Sequence, residues 1–297
     1  MRTQFRSYFL FCVYFGRSPL PADLHTICGY VQFLSRSLKP PTIKNYLSGV
    51  KMLHIFLGHE YVFSDSFHLH LTLRGIERIH HHVPHRAKPI TPAILLSIQT
   101  LSHTFTALQS SVFSCGLLLF FTMARAGSIL PTSMHTPTHH FLTQDRVHLT
   151  KEGILVTLIH TKNIQFGRRR LHIPLLRSHS PICPVAAYIA SQAAHSATQA
   201  IPAFTYMEAG KLRWLTKSTF ISVFRQLLKT SGTSDHTAYT GHSFRRGGAS
   251  WAFQSGMPGE LIQISVDWSS DAYKNYLEFT MQNKMDLAAL LIKDLPH

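Results

Sequence analysis

Three segments of the chain carry side chains that can act on a phosphodiester. The segment MARAGSIL places Arg125 after a very apolar stretch, and TGHSFRRGGAS holds His242 and Arg245 three residues apart. The segment DWSSDAYKNYLEF holds Trp268 eight residues before Tyr276. Two arginines can donate to the non-bridging phosphate oxygens, a histidine or an indole N–H can support a further oxygen, and a tyrosine hydroxyl is a credible covalent nucleophile. Together these residue types indicate attack on a phosphodiester without a metal.

Two assignments in this set have a competitor nearby in the chain. Lys162 lies in a predicted hairpin turn, HTKNIQFGRRR, where it could protonate a leaving 5′ oxygen, and Lys151 is the alternative. Tyr273 competes with Tyr276 because three residues are nearly one helical turn. Residue type alone leaves both tyrosines as candidates for the nucleophile.

The charge of the chain indicates a partner that is densely negative. The 297 residues include 29 Lys and Arg against 14 Asp and Glu, a formal net charge of +15 at pH 7. Only 14% of residues are charged and 11% are aromatic, which is typical of a folded protein and not of a disordered basic tail. A basic, aromatic-rich, folded chain favours nucleic acid over an acidic protein or a lipid surface. RNA is the less favoured nucleic acid because the sequence has no RNP-type or KH-type motif.

No metal or other cofactor is expected. The four cysteines lie far apart and form no CxxC pair, which fits a reducing intracellular setting and argues against a cysteine-based zinc site. Histidines cluster at 80–85, but in a Pro-containing stretch without ligand spacing, and no carboxylate cluster suggests a two-metal nuclease. The longest apolar run, 112–124, is too short to span a bilayer, which needs about 20 residues. It predicts a buried core helix, and no membrane partner is expected.

Apolar periodicity predicts two helical domains joined by a linker. Residues 1–79 form the first domain, with helices over 6–16, 22–38 and 69–79 and a third helix, after PPT at 40–42, that Thr42 could cap. The Pro- and His-rich stretch 80–92 is the linker. In the second domain, 93–297, three short β-type stretches are predicted at 146–150, 153–161 and 170–175. The remaining predicted elements are helices, over 91–101, 107–123, 184–194, 216–230, 243–254, 258–266, 271–279 and 281–295.

The order of these candidate residues resembles the tyrosine recombinases, also called the phage-integrase family. The positions that carry the resemblance are Arg125, Lys162, His242, Arg245, Trp268 and Tyr276. The segment WSSDAYKNYL has Trp where many members have His, and it is most similar to the corresponding segment in the recombinases of DIRS-like retrotransposons and Crypton elements. The segments SYFLFC, TICGYVQFL and TIKNYLSGVKMLH are similar to the helical core-binding domain that precedes such catalytic domains.

The resemblance implies a mainly α fold, with an N-terminal helical core-binding bundle and a helical catalytic domain that contains a small three-stranded antiparallel sheet. It implies a C-shaped clamp around double-stranded DNA, in which Tyr276 forms a 3′-phosphotyrosyl link and releases a 5′-hydroxyl without metal or ATP. Arg125 and Arg245 would hold the phosphate and Lys162 would be the general acid. A tail helix from about residue 281 would dock on a neighbouring protomer in a tetrameric synapse.

Basic residues elsewhere in the chain are the predicted contacts to DNA phosphates. They are Lys44, Lys51, Arg168, Arg169, Arg170 and Arg246. The GRRR at 167–170 could alternatively serve nuclear import. An intracellular location is expected, and a nuclear one if the source is eukaryotic.

Two positions depart from the pattern of the family, and two others have ordinary alternatives. Ser128 stands where an acidic residue is common, and Val266 stands where glycine is common. Taken singly, Arg125 could lie at a helix end or on the surface, and Trp268 could simply fill the core.

The function that the resemblance implies is site-specific recombination, for the integration or excision of a mobile element. One alternative is a DNA-relaxing enzyme similar to type IB topoisomerases, which would not need paired sites. The other is a captured DNA-binding protein that keeps the fold without activity. A test for covalent attachment to DNA separates this last alternative from the other two.

Overall fold

The computed structural model describes residues 1–81, 87–164, 169–192 and 200–266, together with residues 268, 274, 281 and 285. The chain divides into two compact units, Met1–His85 and Arg86–His297. Both are mainly helical, as the sequence predicts, and they are described separately below as the first and second unit. Among the described residues, no helix has the length and apolar character that a membrane span requires.

The first unit is a bundle of four helices. They are α1 (Arg2–Tyr14), α2 (Leu24–Ser35), α3 (Pro40–Phe56) and α4 (Phe67–His80), with a short 3-10 helix at Val62–Asp65 before α4. Asp23 caps α2 by accepting the Thr26 N–H at 2.6 Å. The start predicted for the third helix, with Thr42 as its cap, is wrong. Lys39 is the N-cap, and Pro40 lies in the first turn, where the missing N–H costs nothing because first-turn N–H groups have no partner within the helix.

A fully buried histidine joins α3 to the segment that precedes α2. The N–H of Ala22 donates to Nε2 of His54 at 3.1 Å, and Nδ1 of His54 lies 2.8 Å from the Val50 carbonyl oxygen. Because Nε2 accepts, Nδ1 must carry the proton and donate. His54 is therefore held as one neutral tautomer with both ring nitrogens satisfied.

The second unit surrounds a helix that is apolar on all sides. Its helices are α5 (Pro92–Gln99), α6 (Ala107–Thr122), α7 (Ala126–Ile129), α8 (Pro184–Gln192), α9 (Lys217–Thr230), α10 (Gly241–Gln254) and α11 (Gly259–Ser265). A capping box between Thr106 and Gln109 starts α6, and nearly every residue after it in the helix is buried. This confirms the buried core helix predicted from the apolar run. At Gly116 the ring of Phe244 approaches α6 so closely that a Cβ would lie 3.0 Å from it.

The three-stranded antiparallel sheet that the sequence predicts is present. Its strands are β1 (Val147–Leu149), β2 (Gly153–Leu158) and β3 (Leu171–Leu176), in the order β1-β2-β3. Val156 of the central strand pairs with Val147 on one side and with Ile173 on the other. Five of the six residues of β2 are buried, so the central strand belongs to the core of the second unit.

A second sheet is present that the sequence analysis does not predict. It is a hairpin of β4 (Thr205–Glu208) and β5 (Lys211–Trp214). The two residues between the strands, Ala209 and Gly210, both have positive φ, at +48° and +73°. Such turns are usually marked by Asn-Gly or Asp-Gly, so Ala-Gly between two short strands is a weak signal.

Smaller differences concern helix ends. The four-residue α7 was not predicted because one turn is too short to show periodicity. Helix α10 begins at Gly241, two residues before the predicted start. The helices predicted at 271–279 and 281–295 lie outside the described residues, apart from the isolated positions 274, 281 and 285.

Candidate functional site

Arg125 follows a sharp turn at the end of α6. The helix ends at Thr122, and Met123 adopts a left-handed backbone conformation with φ +49°. This turn redirects the chain so that Arg125 becomes the N-cap of α7, with its carbonyl accepting the Ser128 N–H at 2.8 Å. The Arg125 side chain is half-buried. The apolar α6 thus anchors a turn that brings one cation to the edge of the core.

Arg245 is buried, with 2% of its surface exposed, on the second turn of α10. Its Nη1 donates to the carbonyl oxygen of Met123 at 2.7 Å. Its guanidinium carbon lies 4.3 Å from the centroid of the Trp268 ring, and Trp268 is itself only 6% exposed. A guanidinium over an indole face is a favourable cation–π contact. Arg245 is therefore fixed from two sides.

The two arginines line the same pocket. The residues that line it are Ala124, Arg125, Ser128, Leu158, Thr161, Leu171, Ile173, Arg245 and Val266. Both positions that depart from the family pattern, Ser128 and Val266, are in this lining. No carboxylate is among these described lining residues, so the charges that face the pocket are positive.

His242 lies in the first turn of α10, where the positive charges of both pocket arginines act on its imidazole. Its backbone N–H donates to the Thr240 side chain at 3.2 Å, which starts the helix. His242 is an exposed residue, and partial removal of its imidazole from water, followed by the charges of Lys217, Arg245 and Arg125, lowers its pKa below 6.5. The ring is therefore mostly neutral near pH 7, with one nitrogen that donates a hydrogen bond and one that accepts.

Lys217, the exposed first residue of α9, carries a charge that acts on His242 and that the sequence analysis misses. Its charge acts on His242 more strongly than either arginine does. The N–H of Lys217 donates to the Pro131 carbonyl at 2.9 Å, which ties the start of α9 to the segment that follows α7. The only signal in the sequence is a lysine directly after the helix-capping Thr216, a position where the helix dipole does not favour a cation.

Lys162 lies in a tight turn next to the pocket. Thr161, which lines the pocket, accepts the N–H groups of Asn163 and Ile164 through its hydroxyl at 3.2 and 3.0 Å. Lys162 is exposed between these anchored residues. The competing Lys151 is also exposed, in the connection between β1 and β2. Lys162 is therefore adjacent in the chain to a residue that lines the pocket, and Lys151 is not.

Three histidines cluster beside this turn. The rings of His140 and His160 are stacked with centroids 4.4 Å apart, and His139 lies 4.3 Å from His140. Burial and then the neighbouring His140 and His139 lower the pKa of His160 below 6.5. Within the described part of the chain, no three His, Cys, Asp or Glu side chains are arranged to hold a metal ion.

The predicted DNA contacts have different surroundings. Lys44 forms an ion pair with Glu77 at 2.8 Å, and Lys51 donates to Ser64 at 3.0 Å, both on the surface of the first unit. Arg169 and Arg170 are exposed just before β3. Arg246 is half-buried and donates to the Ala87 carbonyl at 3.4 Å, so part of its guanidinium is engaged with the protein.

Several predicted residues lie outside the described part of the chain. They are Tyr276, its competitor Tyr273, Arg168 and most of the predicted tail helix. Of the six positions that carry the resemblance, the structure brings Arg125, Arg245 and Trp268 together. It places His242 within the field of both arginines and Lys162 beside the pocket.

Comparison with solved structures identifies proteins that share this architecture. The XerH site-specific recombinase bound to palindromic difH substrate matches with a TM-score of 0.61 and 13% identity, over 91% of this chain and 73% of that chain. A lambda integrase dimer bound to a COC′ core site matches with a TM-score of 0.58 and 14% identity, over 95% of this chain and 90% of that chain. The Tn1549 transposon integrase in complex with a circular intermediate DNA matches with a TM-score of 0.58 and 13% identity, over 90% of this chain and 85% of that chain.

Comparisons by sequence find nothing, since no family model and no curated protein matches the chain. The structural matches extend over nearly all of the chain, and all three are recombinases or integrases of the tyrosine class. The mainly helical architecture with one small antiparallel sheet agrees with them. The chain therefore has the tyrosine recombinase fold.

Proposed function

We propose that the protein is a site-specific DNA recombinase that cleaves and rejoins strands through a 3′-phosphotyrosyl intermediate. The observation that carries this proposal is that Arg125 and Arg245, far apart in the chain, line one pocket. The field of both arginines also reaches His242. A pocket with two guanidinium groups and no lining carboxylate among the described residues suits a phosphodiester.

The arginines act on the charge that develops during the reaction. Each can donate to a non-bridging oxygen of the scissile phosphate, which gains negative charge in the transition state. Arg245 is held by the Met123 carbonyl and the Trp268 ring before substrate arrives, so little reorganisation is needed. Its burial keeps water away and strengthens the interaction with the phosphate.

The covalent step is assigned to Tyr276. Its oxygen forms a bond to phosphorus as the bond from phosphorus to the 5′ oxygen breaks. The tyrosine proton goes to a base, for which the neutral His242 is the candidate, and the leaving oxygen takes a proton from Lys162. Attack by a 5′-hydroxyl of the partner strand reverses these steps, so bond energy is conserved and ATP is not required.

Double-stranded DNA is the proposed substrate. The net charge of +15 supports a polyanionic partner. The similar solved structures are complexes with a difH substrate, a COC′ core site and a circular intermediate DNA. We assign DNA binding to both domains, 1–79 as the core-binding domain and 93–297 as the catalytic domain, joined by the linker 80–92.

The narrower parts of the proposal rest on the sequence resemblance alone. The first is integration or excision of a mobile element of the DIRS-like or Crypton type. The others are assembly as a tetramer through the tail helix and a nuclear location in a eukaryotic source. If the gene belongs to a mobile element, the repeats that flank it are the candidate recombination sites, and they are the DNA used in the test.

The test measures whether the protein forms a denaturant-resistant covalent adduct with DNA. The substrates are nicked suicide duplexes that carry the flanking repeats, and the buffer contains EDTA. The wild-type protein is compared with Tyr276→Phe and Tyr273→Phe. We expect an adduct with wild type and Tyr273→Phe and none with Tyr276→Phe. Loss of the adduct in Tyr273→Phe alone would reassign the nucleophile.

The same assay separates the other functions that the fold permits. Tight binding without an adduct on any flanking site would identify a DNA-binding protein without activity and would overturn the proposal. An adduct accompanied by relaxation of supercoiled plasmid, but by no strand exchange between paired sites, would identify a relaxing enzyme.

A further inference from the structure

Two adjacent glycines of α10 contact backbone where no other residue would fit. A Cβ at Gly247 would lie 1.9 Å from the Ile90 carbonyl oxygen, and a Cβ at Gly248 would lie 2.0 Å from the Phe120 carbonyl oxygen. Real Cβ atoms essentially never come within 3.0 Å of such an atom. Neither glycine has a positive φ, so close approach and not backbone conformation requires glycine here.

The contact at Gly248 and the anchor of Arg245 lie on the same part of α6. Gly248 follows Arg245 by three residues, so both are on one face of α10. Gly248 packs on the carbonyl of Phe120, and Arg245 donates to the carbonyl of Met123 at 2.7 Å just beyond it. A side chain at position 248 would force α10 to retreat from α6 by about 1 Å, which stretches or breaks this hydrogen bond.

The contact at Gly247 supports a second face of the helix. Ser243, one turn before Gly247, accepts the N–H of Ile90 through its carbonyl at 3.0 Å. The Nη1 of Arg246 donates to the Ala87 carbonyl at 3.4 Å in the same segment. Gly247 therefore lets the segment 87–90 pack directly on α10, on a face next to the one that contacts α6.

We propose that Gly248, supported by Gly247, is a positioning residue for Arg245: the absence of its Cβ sets the distance between α10 and the end of α6, and so holds the guanidinium in the pocket. This inference rests on the proposed function, in which the guanidinium of Arg245 binds the scissile phosphate. The glycines touch no substrate and act only through the arginine.

The test compares Gly248→Ala with Gly127→Ala. Gly127 lies in α7, close to Arg125 in the chain, and a Cβ there meets no atom within 4 Å, so its replacement adds the same methyl group without displacing α10. Covalent adduct formation on the suicide duplex is expected to fall about 100-fold in Gly248→Ala, because misplacement of a catalytic group by 1 Å costs roughly that much. Gly127→Ala is expected to retain wild-type rates, and DNA affinity is expected to be unchanged in both.

A second substrate separates misplacement of Arg245 from general damage. A methylphosphonate at the scissile position replaces a charged oxygen by methyl, so the neutral group no longer needs the guanidinium charge. On this substrate Gly248→Ala is expected to approach the wild-type rate, as Arg245→Ala is. A defect of equal size on both substrates would mean a structural role only, and would overturn the inference.

Tryptophan emission gives a readout that does not depend on catalysis. In a Trp214→Phe, Trp251→Phe background, Trp268 is the only tryptophan, and it lies against Arg245. Gly248→Ala is expected to shift its emission in the direction that Arg245→Ala does, and Gly127→Ala is expected to leave it unchanged. If the wild type forms no adduct, the proposed function fails, and the emission alone decides whether Gly248 positions Arg245.

Stability is checked by thermal unfolding of each variant. If Gly248→Ala does not fold, Gly247→Ala takes its place, because the backbone that it would displace belongs to the segment 87–90, which has no regular secondary structure, and not to α6. It is expected to show a smaller loss of adduct with the same recovery on methylphosphonate. Wild-type adduct rates and unchanged Trp268 emission in the variant that folds would overturn the inference.

Discussion

The guanidinium of Arg245 is bonded at 2.7 Å to the backbone carbonyl of Met123, which lies in the turn that presents Arg125. The two arginines of the pocket are therefore held by one structural element, the C-terminal end of α6. A displacement of this turn would move both cations together. This explains why a long helix buried on all sides precedes Arg125, since its packing gives the turn a fixed position in the core.

Replacement of Arg245 by lysine is expected to abolish most of the cleavage activity while preserving the charge. An ammonium group cannot donate to Met123 and to a phosphate oxygen in the planar geometry of guanidinium. The rate of adduct formation is expected to fall about 100- to 1000-fold, as when one donor to a developing charge is lost. Rates on suicide duplexes measure this, and filter binding across a salt series serves as the control. A rate within threefold of wild type would contradict the role of Arg245.

Removal of the charge at Lys217 is expected to raise the pKa of His242. The ammonium group is the strongest of the charges that lower this pKa, so Lys217→Gln should move it back toward 6.5. The titration of the His242 ring protons by NMR measures the change. Lys229→Gln, at the other end of the same helix, removes an equal charge and should have no effect on His242.

The lowered pKa of His242 also makes stability depend on pH. In the unfolded chain the ring binds its proton near pH 6.5, whereas in the folded protein it does so only at lower pH. The unfolded state therefore binds more protons in this interval, and stability falls as the pH drops from about 6.5 through the lowered pKa of the folded state. The variant His242→Gln should show a smaller decrease in the free energy of unfolding over this range. An unchanged pH profile would mean that His242 is not the group responsible.

A sulfur leaving group tests whether Lys162 is the general acid. A 5′-bridging phosphorothiolate departs without protonation, so Lys162→Ala should be slow on the ordinary duplex and close to wild type on the sulfur substrate. Lys151→Ala is the matched control and should behave as wild type on both. The reverse pattern would assign the proton transfer to Lys151.

Loss of the buried His54 is expected to destabilise the first unit. In His54→Ala the N–H of Ala22 loses its acceptor and a cavity forms, which together should lower the free energy of unfolding by about 3 kcal/mol. Urea unfolding followed by far-UV circular dichroism measures this. His70→Ala, exposed on α4, should change stability by less than about 0.5 kcal/mol. Equal stabilities of the two variants would contradict the importance of His54.

The sequence by itself determined the local elements of this protein. The approximate positions of most helices, the buried α6 and the three strands of the first sheet follow from periodicity, which depends on neighbours in the chain. The one helix cap that was predicted, Thr42, was wrong, because the N-cap of α3 is Lys39. Candidate residues could also be recognised by type and order. Where a signal was short or unusual, as in α7 or the Ala209-Gly210 turn, these local rules were insufficient.

Only the tertiary structure decided which of these residues meet. Nothing in the chain near Arg125 or Arg245 indicates that they line one pocket, that Lys217 acts on His242, or that Gly248 lies on the Phe120 carbonyl. Such relationships depend on how α6, α9 and α10 pack, and packing is set by the shapes of side chains from segments far apart in sequence. Residue types could therefore indicate the chemistry, while the distances that make it possible came from the packing of the helices.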